Sequence, residues 1–422
     1  MERDTHLTFR DIHGTLEAFS ASIQDIERTA LVKASDDAPL QPRFLTPRST
    51  TSDCVDFCLT EPDQYKPEQD FISVSYTWTH SQSTADLNIP DYRIWESNKT
   101  NPRRLRCPPA VFHRALQYAR TKSCAYIWID QECINQDDAT DIENHLQIMH
   151  RIYQKSRWTI AVLSCSLSNE FLLSTMVRLL EEGYDSRDKL SDMTLDDDDE
   201  PLRNSFNLIP GDRQERYRQY DDLLNHIFED LWFTRTWTFH EKLCAKYLVF
   251  LIPISPPLRL QPNHEHLAVD NDISFGADMI ETLFSKMPVR FFWKRYRMVS
   301  NLTNPIRTLP RPLARWNMYR YMEKCDNLVV SDRLAIFANI CGFEWKLKST
   351  LLDTSQWSYS TCLLVLLVAN TWPSKADRDI IYRKYLLKIW NGETWKSSSE
   401  PDAGTFMDAF VLPENAWTVD DE

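Results

Sequence analysis

The stretch YIWIDQECINQDD (126–138) carries the densest set of side chains able to do chemistry in this chain. An apolar, aromatic run over 125–129 has the length and make-up of a buried strand. It stops abruptly at Asp130, Gln131, Glu132, Asn135, Gln136, Asp137 and Asp138, groups that hold hydrogens in fixed directions. A strand without polar alternation is covered on both faces, as in parallel sheets wrapped by helices. Ligands of such sheets bind beyond the carboxyl ends of the strands, where this cluster sits. A structural reading stands beside that one: Asp130 and Asn135 can cap the following helix and satisfy loop backbone groups.

The elements that position this cluster can be read from periodicity. Strands are predicted at about 71–75, 125–130, 158–163 and 247–252, alternating with helical stripes. One such stripe holds Val111, Ala115, Leu116 and Ala119 after Pro108 and Pro109; another holds Ile142, Leu146, Met149, Ile152 and Tyr153. Strand, helix, strand, helix, strand is the pattern of right-handed parallel units. The predicted class is therefore α/β, a largely parallel, helix-flanked sheet with a mainly helical C-terminal region. Residues 1–69 read as an N-terminal extension, with a helix over 9–32 and then a Pro-, Ser- and Thr-rich connector. Residues 70–252 read as the principal domain and 275–395 as the helical region. A polar insertion at about 183–214 includes five consecutive acids at 196–200, a solvated loop in composition.

Composition excludes several function classes. Over 422 residues, 42% hydrophobic content excludes global disorder, and a net charge of -13 argues against nucleic-acid backbone binding. Seven glycines, none between Gly14 and Gly183, remove the glycine-rich phosphate loops. The ten cysteines show no zinc-type repeat; Cys54 and Cys58 lack a second pair, and no metal site is expected. The N-terminus shows no secretory signal, and the longest apolar run, 362–369, is too short to span a bilayer. A reduced, cytoplasmic, soluble protein is expected, on which the sequons at Asn98 and Asn301 carry no glycan.

Three segments together resemble the fungal heterokaryon-incompatibility (HET) domain. They are FISVSYTW (71–78), WIDQECINQDD (128–138) followed by His145, Met149, Ile152 and Tyr153, and WFTRTWTFHEKLCA (232–245). Trp128, Cys133, Asn135, Gln136, Trp232, Arg235 and Trp237 occupy motif positions. Thr79 stands where the family commonly has Gly, and His145 and His240 stand where it has Gln. The resemblance implies nonself recognition and induction of cell death. It also implies a distant similarity to TIR domains, some of which cleave NAD and some of which signal by assembling. In those enzymes a Trp precedes the catalytic Glu by four residues on a helix, a spacing that Trp237 and Glu241 reproduce.

On that reading Glu241 is catalytic, with NAD as substrate and no cofactor. Ser75, Tyr76, Trp78 and Asp130 bind substrate: Trp78 or Tyr76 offers a flat face to a ring, and Asp130 positions a hydroxyl. Nicotinamide departs as a neutral molecule, so one carboxylate that stabilises the oxocarbenium suffices where glycosidases use two. A surface charge pair of Glu241 with Lys242 or Lys246 is the competing reading. For Trp128, Trp232 and Trp237 it is core packing. Two alternatives to the enzyme remain: a non-enzymatic signalling module that self-associates or docks on a protein partner, and a degenerate, inactive relative.

Overall fold

The computed structural model describes residues 1, 4–34, 39–50, 54–66, 68–78, 89–97, 99–186, 211–280, 319, 322, 325, 329–354 and 356–390. Thr79, Asn98, Asn301 and most of the acidic insertion lie outside the described residues. The chain divides into two compact units: Leu40–Asn135 with Arg151–Pro305, and Met1–Pro39 with Gln136–His150 and Ile306–Glu422.

The strands, in chain order, are β1 (Leu31–Lys33), β2 (Leu45–Thr50), β3 (Cys54–Leu59), β4 (Ile72–Ser75), β5 (Asp91–Trp95), β6 (Arg103–Arg104), β7 (Ile127–Trp128), β8 (Trp158–Val162), β9 (Leu248–Pro253), β10 (Ala268–Val269), β11 (Asp272–Gly276) and β12 (Trp345–Leu347). Ten of them form one sheet in the first unit, in the order β10-β11-β9-β8-β4-β7-β2-β3-β5-β6. The four strands expected from apolar runs lie side by side at its centre and are all parallel. Ile72 pairs with Ile127 and with Trp158, and Ala161 pairs with Phe250. Every residue of β4 is buried, the two serines included, because the hydroxyls on its polar face find partners inside the protein. Helices Glu170–Ser186 and Gly211–Phe228 supply Leu173, Met176, Leu180, Leu223 and Leu224 to a core with Phe250, Ile252 and Ile273. Helix Pro109–Thr121 sets Phe112 edge-on against Phe57 and Tyr92.

The sheet is mixed rather than largely parallel, because antiparallel pairs enter on both sides of the parallel centre, although β3 and β5 again run parallel. The Pro-, Ser- and Thr-rich stretch read as a connector supplies β2 and β3, joined antiparallel, and β2 continues the sheet through Leu45 opposite Ile127. Pro47 is tolerated because the ladder shifts register between Pro47 and Ser49, a bulge where a missing N–H leaves no gap. In β3, Asp56 is buried yet paired with Arg93 Nε at 2.8 Å, which masks the apolar alternation. The hairpin of β10 and β11 closes the other edge on β9. The predicted strand at 125–130 shrinks to Ile127–Trp128. Ile129 instead caps a helical turn, Asp130–Cys133, whose Cys133 N–H folds back onto the Ile129 carbonyl at 2.8 Å.

The second unit is mainly helical. The helix expected over 9–32 is two, Phe9–His13 and Leu16–Thr29, broken at Gly14 (φ +70°) and restarted by the Thr15 cap. The C-terminal region contributes Asp332–Ile340, Ser349–Thr354, Tyr359–Thr371 and Lys375–Trp390, in agreement with its helical pattern. A two-stranded ladder of β1 and β12 joins the N-terminal and C-terminal parts of this unit. Lys346 is buried there because its ammonium donates to Gln147 O (2.8 Å) and Asn339 Oδ1 (2.9 Å).

Candidate functional site

The parallel strands run β7-β4-β8-β9 across the sheet, which in chain order is second, first, third, fourth. In that doubly wound order the chain reverses direction between the first and third strands, and the crevice beyond their carboxyl ends is the usual ligand site. Here the reversal lies between β4 and β8, and Ser75 is the last residue of β4.

Along β4 the hydroxyls of Ser73 and Ser75 recur at the strand period of two and so share a face. Ser73 Oγ is absorbed by structure, within 3.0 Å of Ser156 Oγ and 2.9 Å of Thr159 Oγ1. Ser75 Oγ instead donates a hydrogen bond to Glu241 Oε2 and accepts one from Trp232 Nε1 at 2.7 Å. Ser75 is 1% exposed and Glu241 6%, so Glu241 is no surface charge pair.

The next residues of the strand end bind the 126–138 block. Trp78 Nε1 donates to Asp130 Oδ2 at 2.8 Å. Tyr76 OH lies 2.9 Å from Asp130 Oδ1 and 2.6 Å from Gln131 Oε1, and its single proton serves one at a time. Asp130 Oδ1 also accepts the N–H of Gln131 at 2.7 Å. The rest of the turn is anchored as firmly. Glu132, fully buried, accepts from Arg103 Nη1 (2.5 Å) and from the N–H groups of Arg106 (2.5 Å) and Cys107 (2.8 Å). Cys133 Sγ faces the backbone of Ile127 and Ile129, and its carbonyl accepts Arg43 Nε at 3.0 Å. Trp128 is 0% exposed and sets its ring edge-on to Tyr153 at 5.6 Å. Asn135 and Gln136 follow, half-buried.

Glu241 is delivered by helix Thr236–Cys244, whose first turn is stitched by Thr238 Oγ1 onto the carbonyls of Trp232 and Arg235. Arg235, the residue before that helix, is half-buried. Trp237, also half-buried, packs edge-on against the buried His240 at 5.6 Å.

Two acids that must share this space are costly to ionise. Burial pushes the Glu241 carboxyl up to about 8. The Ser75 hydrogen bond, the Arg235 charge and a hydrogen bond from Tyr153 oppose that rise, and the Asp130 charge adds to it. Asp130 is also raised by burial, against the hydrogen bonds of Trp78, Gln131 N–H and Tyr76 and the charge of Arg235. The Tyr153 phenol is held well above its ordinary range by burial and then by Glu241. In this closed arrangement Glu241 carries a proton at neutral pH, and a cation brought beside it would favour the ionised form.

Residues not anticipated from sequence hold the frame. Asp230 accepts from Ser164 N–H (2.7 Å), Ser164 Oγ (3.0 Å) and Cys165 N–H (2.6 Å), and through its other oxygen from Trp232 N–H (2.8 Å). It thereby fixes Trp232, the donor to Ser75, against the loop that leaves β8. Arg114 is buried and spends its donors on Asp272, on Leu163 O (2.7 Å) and on Leu251 O (2.9 Å). The signals were a cap-type acid before a Trp turn and a lone Arg inside an apolar helical stripe. A cavity of about 1100 Å³ opens beyond β8 and β9, lined by His113, Arg114, Ser164, Ser166, Pro253 and Asp270 among others.

Among the described residues no group of three or more His, Cys, Asp and Glu side chains is arranged to hold a metal. Nor is any helix among them long and apolar enough to cross a membrane.

Residues 71–241 match the family model described as Heterokaryon incompatibility protein (HET). The chain is also 28% identical over 223 residues to the "Heterokaryon incompatibility protein 6, OR allele" of Neurospora crassa. That match covers 48% of this chain and 31% of the relative, so it spans about a third of the relative's length. No solved structure matches the chain.

Proposed function

We propose, from the match of residues 71–241 to the heterokaryon incompatibility family, that this protein acts in fungal incompatibility as a cytoplasmic protein of nonself recognition. In this reading its output is cell death by cleavage of NAD at the nicotinamide bond. The observation that carries the enzymatic part is the Ser75–Glu241 pair at the reversal point of the parallel strands, the crevice where doubly wound sheets bind ligands. The same strand order supports the likeness to TIR domains.

The chemistry needs one carboxylate. The bond from ribose C1′ to the pyridinium nitrogen breaks, and its electron pair neutralises the nicotinamide. Water then bonds to C1′ and gives its proton to ionised Glu241. The positive ring of the substrate favours that ionised form, so binding prepares the base. Ser75 and Tyr153 hold the carboxylate by hydrogen bonds, and Arg235 balances its charge.

Purified protein incubated with NAD tests the reading through release of free nicotinamide. Glu241→Gln should lower turnover by ~10²–10³, the usual loss when a preorganised charge contact is removed. Since kcat/KM reports the free protein's ionisations, it should climb with pH toward about 8. Absence of nicotinamide release across pH 6 to 9 would end the enzymatic reading.

A second reading, a non-enzymatic signalling or protein-interaction module, is favoured by one observation. Ser75 and Glu241 are buried and satisfy each other, as structural polar pairs do. Induced cell death that survives Glu241→Gln in a fungal host would select it.

A further inference from the structure

Trp78 is 48% exposed, whereas Ser75, Tyr76 and Glu241 beside it in the motifs are buried. An exposed indole ordinarily turns freely and leaves its N–H to water. This one is tied at 2.8 Å to Asp130 Oδ2, and Asp130 is itself held through Oδ1 by Gln131 N–H and approached by Tyr76 OH. Asp130 is the first residue of the helical turn that ends β7, while Trp78 follows the end of β4. Two strand ends therefore fix one aromatic plane at the mouth of the site.

The arrangement has two consequences. Fixing the ring removes the rotamer entropy that a flexible side chain loses on binding, so the face is preorganised. Donation of the indole N–H to a carboxyl also leaves more negative charge on the ring face, which favours electron-poor or cationic rings above it. Tyr76 cannot supply that platform, because its ring is buried and its hydroxyl is engaged by the turn.

We propose that Trp78 is the stacking platform of this site for a planar nitrogen-heteroaromatic ring, and that Asp130 is its positioning residue rather than a group that grips substrate hydroxyls. The proposal deepens the ligand-site reading above and rests on it for the location of the site, but not for the chemistry.

Two ring probes that carry no cleavable pyridinium glycosidic bond test it: 1-methylnicotinamide, a cationic ring, and adenosine, a neutral base. Ribose 5-phosphate serves as the ringless control. Binding to the full chain is measured by calorimetry and by saturation-transfer NMR, with circular dichroism to confirm folding. Trp78→Ala should weaken a ring probe ~10-fold or more, the usual scale for loss of one aromatic stack, and leave ribose 5-phosphate unchanged. Asp130→Ala should weaken the same probe by a smaller factor. Asp130→Asn, which retains an oxygen to accept the indole N–H, should recover binding to within a few-fold of the parent.

The proposal is overturned if the parent protein binds neither ring probe, or if Trp78→Ala binds both as the parent does. It is likewise overturned if the ringless control falls in step with the rings. Stacking on Trp78 without NAD cleavage would remove the glycohydrolase reading and keep this one. Cleavage unaffected by Trp78→Ala would do the reverse.

Discussion

Glu241→Gln should make the protein less sensitive to alkali as well as inactive, and the size of that effect follows from the buried carboxyl. Folded, Glu241 holds its proton up to about 8; unfolded, it releases it near 4.5. Between those values the folded state binds more protons than the unfolded state. The Glu241 contribution to stability therefore falls as pH rises through this window and is flat on either side of it. Each unit of pH removes about 1.4 kcal/mol, so the step from pH 5 to pH 8 removes ~4 kcal/mol. Glutamine has the same size, still accepts from Ser75, and does not titrate. Asp130, raised in the same direction by burial, is present in both proteins and largely cancels in the comparison.

The assay is urea unfolding at pH 5, 6, 7 and 8, followed by tryptophan fluorescence and far-UV circular dichroism. The stability of Glu241→Gln minus that of the parent should grow by about 1.4 kcal/mol per unit across that range. Parallel pH profiles would refute the reasoning. They would mean that Glu241 is ionised in the folded protein and that Ser75 donates to a carboxylate.

Other outcomes follow from the packing. Trp128→Ala should destabilise by ~3–5 kcal/mol as a core cavity and abolish function through loss of fold, read as a lowered urea midpoint. Arg114→Ala strips the buried Asp272 of its guanidinium partner and takes one donor each from the Leu163 and Leu251 carbonyls, so a loss of about 3–5 kcal/mol is expected in the same assay.

What could be read along the chain was what depends on near neighbours. Runs of apolar and β-type residues named the four parallel strands, and the 125–129 run, with no polar period, marked burial on both faces. The motif residues at 75–78 and 130 were placed at strand ends by the same runs. The break at Gly14 was written there too, in a residue that tolerates φ +70°, but the helical stripe across it obscured the signal.

The flanking strands were hidden, since Pro47 and Asp56 are ordinary marks of loops. They become strand residues only when a bulge removes the need for a hydrogen bond or a distant Arg93 neutralises the acid. The site depended on tertiary structure most of all. Ser75 and Glu241 stand 166 positions apart, and no local pattern joins them. Their contact exists because β8 returns beside β4 and Asp230 ties the Trp232 turn to the loop after β8, and these in turn lay Glu241 over the end of the first strand. The family resemblance, through the spacing of Trp237 and Glu241, marked Glu241 as a carboxylate on a helix. Desolvation by the folded core made it a proton-bearing acid at neutral pH, because charge is stabilised by water and the core excludes it.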